Sequence, residues 1–369
     1  MIINMPNFFA NFSPARETTA CAFLASLIEE KKAPGVQYVH ADKDGILFAG
    51  MAGYADVSSK QPVTAQTTFN AYSLTKTFTA AAVVKLALMG KIDLDAPIAL
   101  YLSGLSYKQS PTVRQALLHT AGFPNPNPMS WVHLANQDNE FDDTNFFREV
   151  INENPELDFD PGSKVAYSNV GYLVLGQLVS EVSGEAYEDY VMKKIIAPLA
   201  LNNEQTISYH IEDPENHAYG YIRRWNWLNP LLGLFIDRKK FLVRSVEGWT
   251  RFNHMMVNGK AYGGLVGNAA GFIRYLQAIL RREVPFTNHM VETMWSLGTT
   301  NSGQPIPRGL AWYHSAFNGK PYFMHTGGAA GYYSEMRIYP DDNRASVIMT
   351  NSTGITRQNY LNRIDSLFF

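Results

Sequence analysis

The chain has 369 residues, is 46% hydrophobic and 13% aromatic, and carries only 17% charged residues with a formal net charge of −2. That is enough apolar material for a large core, expected in two lobes, and the lack of a basic stripe argues against a nucleic-acid partner. A single cysteine, Cys21, rules out an internal disulfide, and no apolar run reaches the length of a membrane span. The opening residues Met1 to Pro6 have no positive segment followed by an apolar one, so a cytoplasmic location without a leader is the expectation for the chain as given.

In chain order, a helix is expected from about Ala15 to Lys32, then a strand at Gly35–His40, a turn at Asp42–Gly45 and a second strand at Ile46–Gly50. Ser73-Leu74-Thr75-Lys76 follows, at the start of a largely apolar helix that Gly90 stops. Ser110 with Pro111 reads as the cap and first turn of another helix, and a further one runs from about Asn169 to Val182, ending at Ser183-Gly184. Strand-like runs return at Leu310–Tyr313, Tyr322–His325, Glu335–Tyr339 and Ala345–Thr350. The fold class is therefore α+β: one antiparallel sheet built from both termini, residues 1–72 with 305–369, and a mainly helical domain, residues 73–304, inserted between them.

Three separated clusters carry chemistry. On a helix, residues three apart share a face, so the Lys76 amine can reach the Ser73 hydroxyl. Free N–H groups at a helix start favour an alkoxide and can hold an oxyanion. In the second cluster, Pro161-Gly162 breaks the chain ahead of Tyr167-Ser168-Asn169, which aims the phenol and the amide into one space. A neighbouring ammonium favours a phenolate, so Lys76 and Tyr167 together are expected to take the Ser73 proton, with Asn169 orienting the lysine. The third cluster, His325-Thr326-Gly327-Gly328, ends a strand, where glycines admit a substrate backbone and the Gly328 N–H can be a second oxyanion donor. His119, in His119-Thr120-Ala121-Gly122, reads as part of a helix C-terminus and not of the site.

Taken in order, Ser73-x-x-Lys76, Tyr167-x-Asn169 and His325-Thr326-Gly327 resemble the penicillin-recognising serine hydrolases: class C β-lactamases, DD-peptidases, D-amino-acid peptidases and β-lactamase-like esterases. The flanks Gly90–Asp95, Leu117–Gly122, Ala197–Leu199 and Gly263–Leu265 are similar too. The resemblance implies an α/β sandwich plus an all-α lobe with the site in the cleft between them. It also implies acylation of Ser73, acid–base work by Lys76 and Tyr167, positioning by Asn169, His325, Thr326 and Gly327, and an oxyanion hole from the Ser73 and Gly328 N–H groups. A water activated from the Tyr167 side would complete hydrolysis. Typical β-lactamases have lysine at the His325 position. A largely neutral histidine grips a carboxylate less firmly, which turns the expectation away from antibiotic hydrolysis. Gly271 stands where relatives often carry aspartate, which is expected to cost a structural contact and not the chemistry.

The segment 221–245 is the least family-like. It is apolar and aromatic with basic flanks, and three readings stay open: a lid or pocket wall over the cleft, a membrane-surface or partner patch, or lobe core. His210, Glu212, Asp213, Glu215 and His217 lack zinc-site spacing, so no metal is expected and no organic cofactor either. The expected activity is cleavage of a small ester, amide or peptide, as an esterase, peptidase or D-alanyl-D-alanine carboxypeptidase. The alternatives are an acyltransferase using the same nucleophile and a non-catalytic peptidoglycan- or ligand-binding protein of the same fold.

Overall fold

The computed structural model describes residues 14–105, 107, 109–126, 131–225, 234, 236–243, 245–353 and 360–369. Among them the helices are α1 (Pro14–Glu29), α2 (Thr75–Leu88), α3 (Val113–Leu117), α4 (Asp143–Glu153), α5 (Asn169–Ser183), α6 (Tyr187–Val191), α7 (Arg238–Phe241), α8 (Lys260–Gly263), α9 (Ala269–Arg281), α10 (Asn288–Trp295) and α11 (Tyr360–Asp365). The strands are β1 (Gly35–Asp42), β2 (Ile46–Asp56), β3 (Gln61–Pro62), β4 (Phe69–Asn70), β5 (Val132–Leu134), β6 (Ile207–Ser208), β7 (Tyr221–Arg223), β8 (Trp249–Arg251), β9 (Met255–Val257), β10 (Val266–Gly267), β11 (Tyr313–Phe317), β12 (Lys320–Ala329), β13 (Tyr332–Tyr339) and β14 (Arg344–Thr350).

The main sheet has seven strands in the order β11-β12-β13-β14-β1-β2-β3, so strands from both ends of the chain meet at the β14–β1 pair. Alternation along β1 puts Val36 and Tyr38 on one face, where α1 and α11 cover them with Leu24, Leu27, Leu361 and Ile364. Val39 and Ala41 point to the other face, under α9 and the larger core. Covering both faces is what buries β1 almost throughout, Gln37 and His40 included.

The chain leaves this sheet after β3 and returns to it at β11, and the helices around α2 lie between. Residues Thr75 to Val84 of α2 are all buried, with α5, α6, α8 and α10 packed around them. Gly90 (φ +70°) ends α2 as a Schellman cap, its N–H on Ala87 O and the Lys91 N–H on Leu86 O.

Two local expectations shift and a third holds. α3 begins from Thr112, not Ser110, because Thr112 and Gln115 form a reciprocal capping box. The strand expected at Leu310–Tyr313 lies at Tyr313–Phe317, because Gly309 N–H bonds Trp312 O and Ala311 adopts φ +67°, which makes 309–312 a turn. α5 begins at Asn169 as expected, with Ser168 as its cap.

Residues 226–233, 235 and 244 of the 221–245 segment lie outside the described residues. Its described flanks form a small cluster in which Phe241 of α7 packs with Ile222, Phe252 and Met255. No described helix is long and apolar enough to cross a membrane.

Candidate active site

Ser73 sits in a single 3-10 turn, Tyr72–Leu74, that leads into α2. The residue before it, Tyr72, has φ +48°, a left-handed conformation costing a tyrosine about 1–2 kcal/mol. Surrounding contacts enforce it: Ala71 N–H bonds Leu265 O, Thr75 Oγ1 bonds Tyr72 O, and the buried Tyr72 ring packs against Tyr332. The result turns the Ser73 hydroxyl towards Lys76 and Tyr167.

Tyr167 Oη lies 2.7 Å from Ser73 Oγ, and Lys76 Nζ lies 3.1 Å from it. The lysine is fully buried and also donates to Asn169 Oδ1 (2.9 Å) and to the Tyr262 carbonyl (2.7 Å). Both of those partners are acceptors only, so two N–H bonds point away from Ser73 and the third position of the nitrogen faces the hydroxyl. Burial pushes Lys76 well below the ordinary lysine range. In its neutral form an amine held this way has its lone pair on Ser73.

Burial also raises Tyr167 above the usual phenol range, against a smaller lowering by its bond to Ser73. This corrects the expected phenolate: the phenol stays protonated and can donate to Ser73 Oγ. In a dry site both groups lose charge, and the lysine is the one whose neutral form is a base.

The strand side is built around Gly327. A side chain there would meet Ala71 O at 2.0 Å and Ser73 N at 3.0 Å, so only glycine lets β12 lie against the nucleophile's turn. β11 pairs with β12 only between Lys320 and Met324, and β13 pairs with it through Ala329. Residues 325–329 therefore keep one strand edge open beside Ser73. Gly328 is exposed and Thr326 half-buried on that edge. The His325 side chain turns inward. Nδ1 bonds Thr326 O at 2.7 Å, and burial with Lys76 nearby lowers its pKa to about 3, so the ring is neutral.

Three residues that sequence reasoning placed elsewhere or missed complete the surroundings. His119 is not remote: its ring lies 4.5 Å from the Tyr167 ring and its Nδ1 accepts the Ser168 N–H. Asn125 accepts the Asn169 N–H through Oδ1 at 3.0 Å. Arg308 stacks over Tyr313 (4.4 Å), its Nη1 is buried without a hydrogen-bond partner among the described residues, and its charge acts on Tyr167, His119 and His325. The histidine–acid run is dispersed: His210 bonds Asp138, and His217 bonds Thr68. Among the described residues no group of three or more His, Cys, Asp or Glu side chains is arranged to hold a metal. A cavity of about 540 Å³ behind α2, lined by Val84, Leu94, Tyr101, Arg114 and His289, contains none of the groups around Ser73.

The family model described as Beta-lactamase matches residues 22–366. Penicillin-binding protein 4* of Bacillus subtilis (strain 168) is 26% identical over 318 residues, covering 84% of this chain and 66% of the relative. A Beta-lactamase of Escherichia coli (strain K12) is 30% identical over 198 residues, 54% of this chain and 50% of that protein. The chain thus spans no more than about two thirds of the length of these curated relatives. Among solved structures, the octameric penicillin-binding protein homologue from Pyrococcus abyssi superposes with TM-score 0.74 at 23% identity, over 95% of this chain and 76% of that one. The D-amino acid amidase from Ochrobactrum anthropi SV3, complexed with L-phenylalanine amide, gives 0.72 at 19% identity over 96% of each chain. These superpositions show the α+β, β-lactamase-like fold.

Proposed function

The chain belongs to the beta-lactamase family of serine hydrolases, and on that premise we propose that it cleaves a small ester or amide through an acyl-enzyme on Ser73. The observation that carries this reading is the three-way contact of Ser73 Oγ with Tyr167 Oη and Lys76 Nζ.

In the proposed first step, Ser73 Oγ attacks the substrate carbonyl as its proton passes to the neutral Lys76 amine. The carbonyl oxygen becomes an oxyanion held by the Ser73 and Gly328 N–H groups. When the carbon–heteroatom bond breaks, the leaving group takes a proton from Tyr167, which regains one from the protonated Lys76. Asn169 keeps the amine aimed and offers its amide to the acyl group, while Thr326 and Gly327 seat the substrate backbone on the open edge of β12. A water entering from the Tyr167 side then gives its proton back along the same path and releases the acid, leaving Ser73 free. Arg308, whose charge acts on Tyr167 and His325, is a cation beside the nucleophile, which favours a substrate neutral or anionic at its reacting end over a free amine.

Mass spectrometry after incubation with a fluorophosphonate, and separately with a penicillin, tests the proposal. One adduct on Ser73, absent in Ser73→Ala, is expected. An unmodified Ser73 would favour the non-catalytic alternative.

A further inference from the structure

We propose that His119 is a positioning residue for Tyr167, fixing the phenol on Ser73 by gripping the backbone on both sides of it. The inference rests on the reading of Tyr167 as an acid–base group. The Ala166 N–H bonds the His119 carbonyl at 2.9 Å, and the Ser168 N–H bonds His119 Nδ1 at 3.1 Å, so one residue brackets Tyr167 from 166 and 168. The same imidazole lies against the Tyr167 ring (4.5 Å) and the Tyr172 ring (5.1 Å), which leaves the phenol little freedom to swing.

Two features go beyond ordinary packing. His119 adopts φ +59°, a left-handed conformation that few residues other than glycine take but histidine takes more readily than most, and from it the carbonyl meets the Ala166 N–H while the ring meets the Ser168 N–H. Accepting a backbone N–H at Nδ1 also requires that nitrogen to be unprotonated, so the ring proton is on Nε2, which is buried with no partner among the described residues. A buried donor left unsatisfied costs about 1–3 kcal/mol, a cost that packing alone does not explain, since phenylalanine would fill similar space without it. Histidine supplies what an apolar ring cannot: an acceptor for the Ser168 N–H. Burial first, then Arg308, Lys76 and His325 around it, oppose a second proton that would break this bond.

The test compares His119→Phe, which keeps a ring and removes the acceptor, with His119→Asn, which keeps an acceptor and tolerates the left-handed backbone. Turnover of a p-nitrophenyl ester is expected to lose roughly 100-fold in kcat in H119F with KM changed less than about threefold, and to recover to within about tenfold of wild type in H119N. Nitrogen-15 NMR of histidine-labelled wild-type chain should find Nδ1 unprotonated from about pH 8 to about pH 5. A proton on Nδ1, an unchanged kcat in folded H119F, or a folded H119N as impaired as H119F would each overturn the inference. Should H119F fail to fold, the NMR result and the H119N kinetics still decide. If wild-type chain forms no Ser73 adduct, the acyl-enzyme reading falls by itself. The position of Tyr167 in a crystal structure of H119F then decides for His119: a displaced phenol supports it, and a phenol still on Ser73 overturns it.

Discussion

Two buried lysines meet at the short helix α8 and are pushed in opposite directions. Lys260, its first residue, is 8% exposed and touches two carboxylates, Glu188 at 2.6 Å and Asp138 at 3.5 Å. Burial pulls its pKa down, but Glu188, Asp138 and Asp143 outweigh burial and leave it above the ordinary value. Lys76 reaches the carbonyl of Tyr262, two residues further on, and its acceptors are neutral dipoles, so burial prevails and its pKa falls. Paired charge fixes a protonation state and serves structure. A buried amine held only by neutral acceptors is free to give and take a proton, which is what a general base requires.

The sharpest way to break this contrast is Lys76→Arg, which keeps a cation of similar reach that cannot lose its proton. Turnover of a p-nitrophenyl ester should fall by roughly 10²–10⁴-fold, the usual worth of a positioned acid–base group. For wild type the sign is set by the lowered pKa: the amine is charged below that value and neutral above it. kcat/KM should therefore rise with pH and level off well below the ordinary lysine value of about 10.4.

Asn169→Asp converts Lys76 into a second Lys260. A carboxylate in place of the amide oxygen at 2.9 Å should raise the lysine pKa, move the acid limb of kcat/KM up with it, and cost activity at pH 7 of about tenfold or more. An unmoved acid limb would mean that Lys76 does not set it.

The reverse change, Asp138→Asn, removes an anion that is 7% exposed at its side chain and bonds His133 and His210 besides Lys260. Leaving a buried charge under-compensated should cost about 3 kcal/mol, read as a lower urea midpoint at unchanged m. The acid limb should hardly move, because Asp138 has no contact with Lys76. The smallest effect is expected for Arg308→Gln: KM for a carboxylate-bearing ester should rise several-fold relative to its neutral amide, by about 1 kcal/mol for one charge-assisted hydrogen bond.

The sequence made the chemistry-bearing side chains legible because their types and spacing are distinctive. Ser73 and Lys76 sit one helical turn apart, Tyr167 and Asn169 flank a helix cap, and His325 to Gly328 close a strand. The sheet was legible too, since β1, β13 and β14 are β-branched or aromatic runs bounded by turns. Backbone acceptors were not, because the Tyr262 carbonyl leaves no trace in residue type. His119 was hidden for a related reason: its role depends on a left-handed turn that folds it back onto Tyr167 from 48 positions away. The protonation states were misjudged because burial, which no short motif encodes, outweighs the attraction between an ammonium and a phenol.

Gly327 has a consequence for how such a molecule would fail. With no room for even a methyl group between β12 and the turn carrying Ser73, the two surfaces are keyed like lock plates, one from the sheet and one from the helices. Any loosening of that seam should disarm the nucleophile while most of the shared core around it remains packed. Heat or denaturant should silence the chain before it melts, and a bulky residue at 327 should yield a well-folded but inert protein.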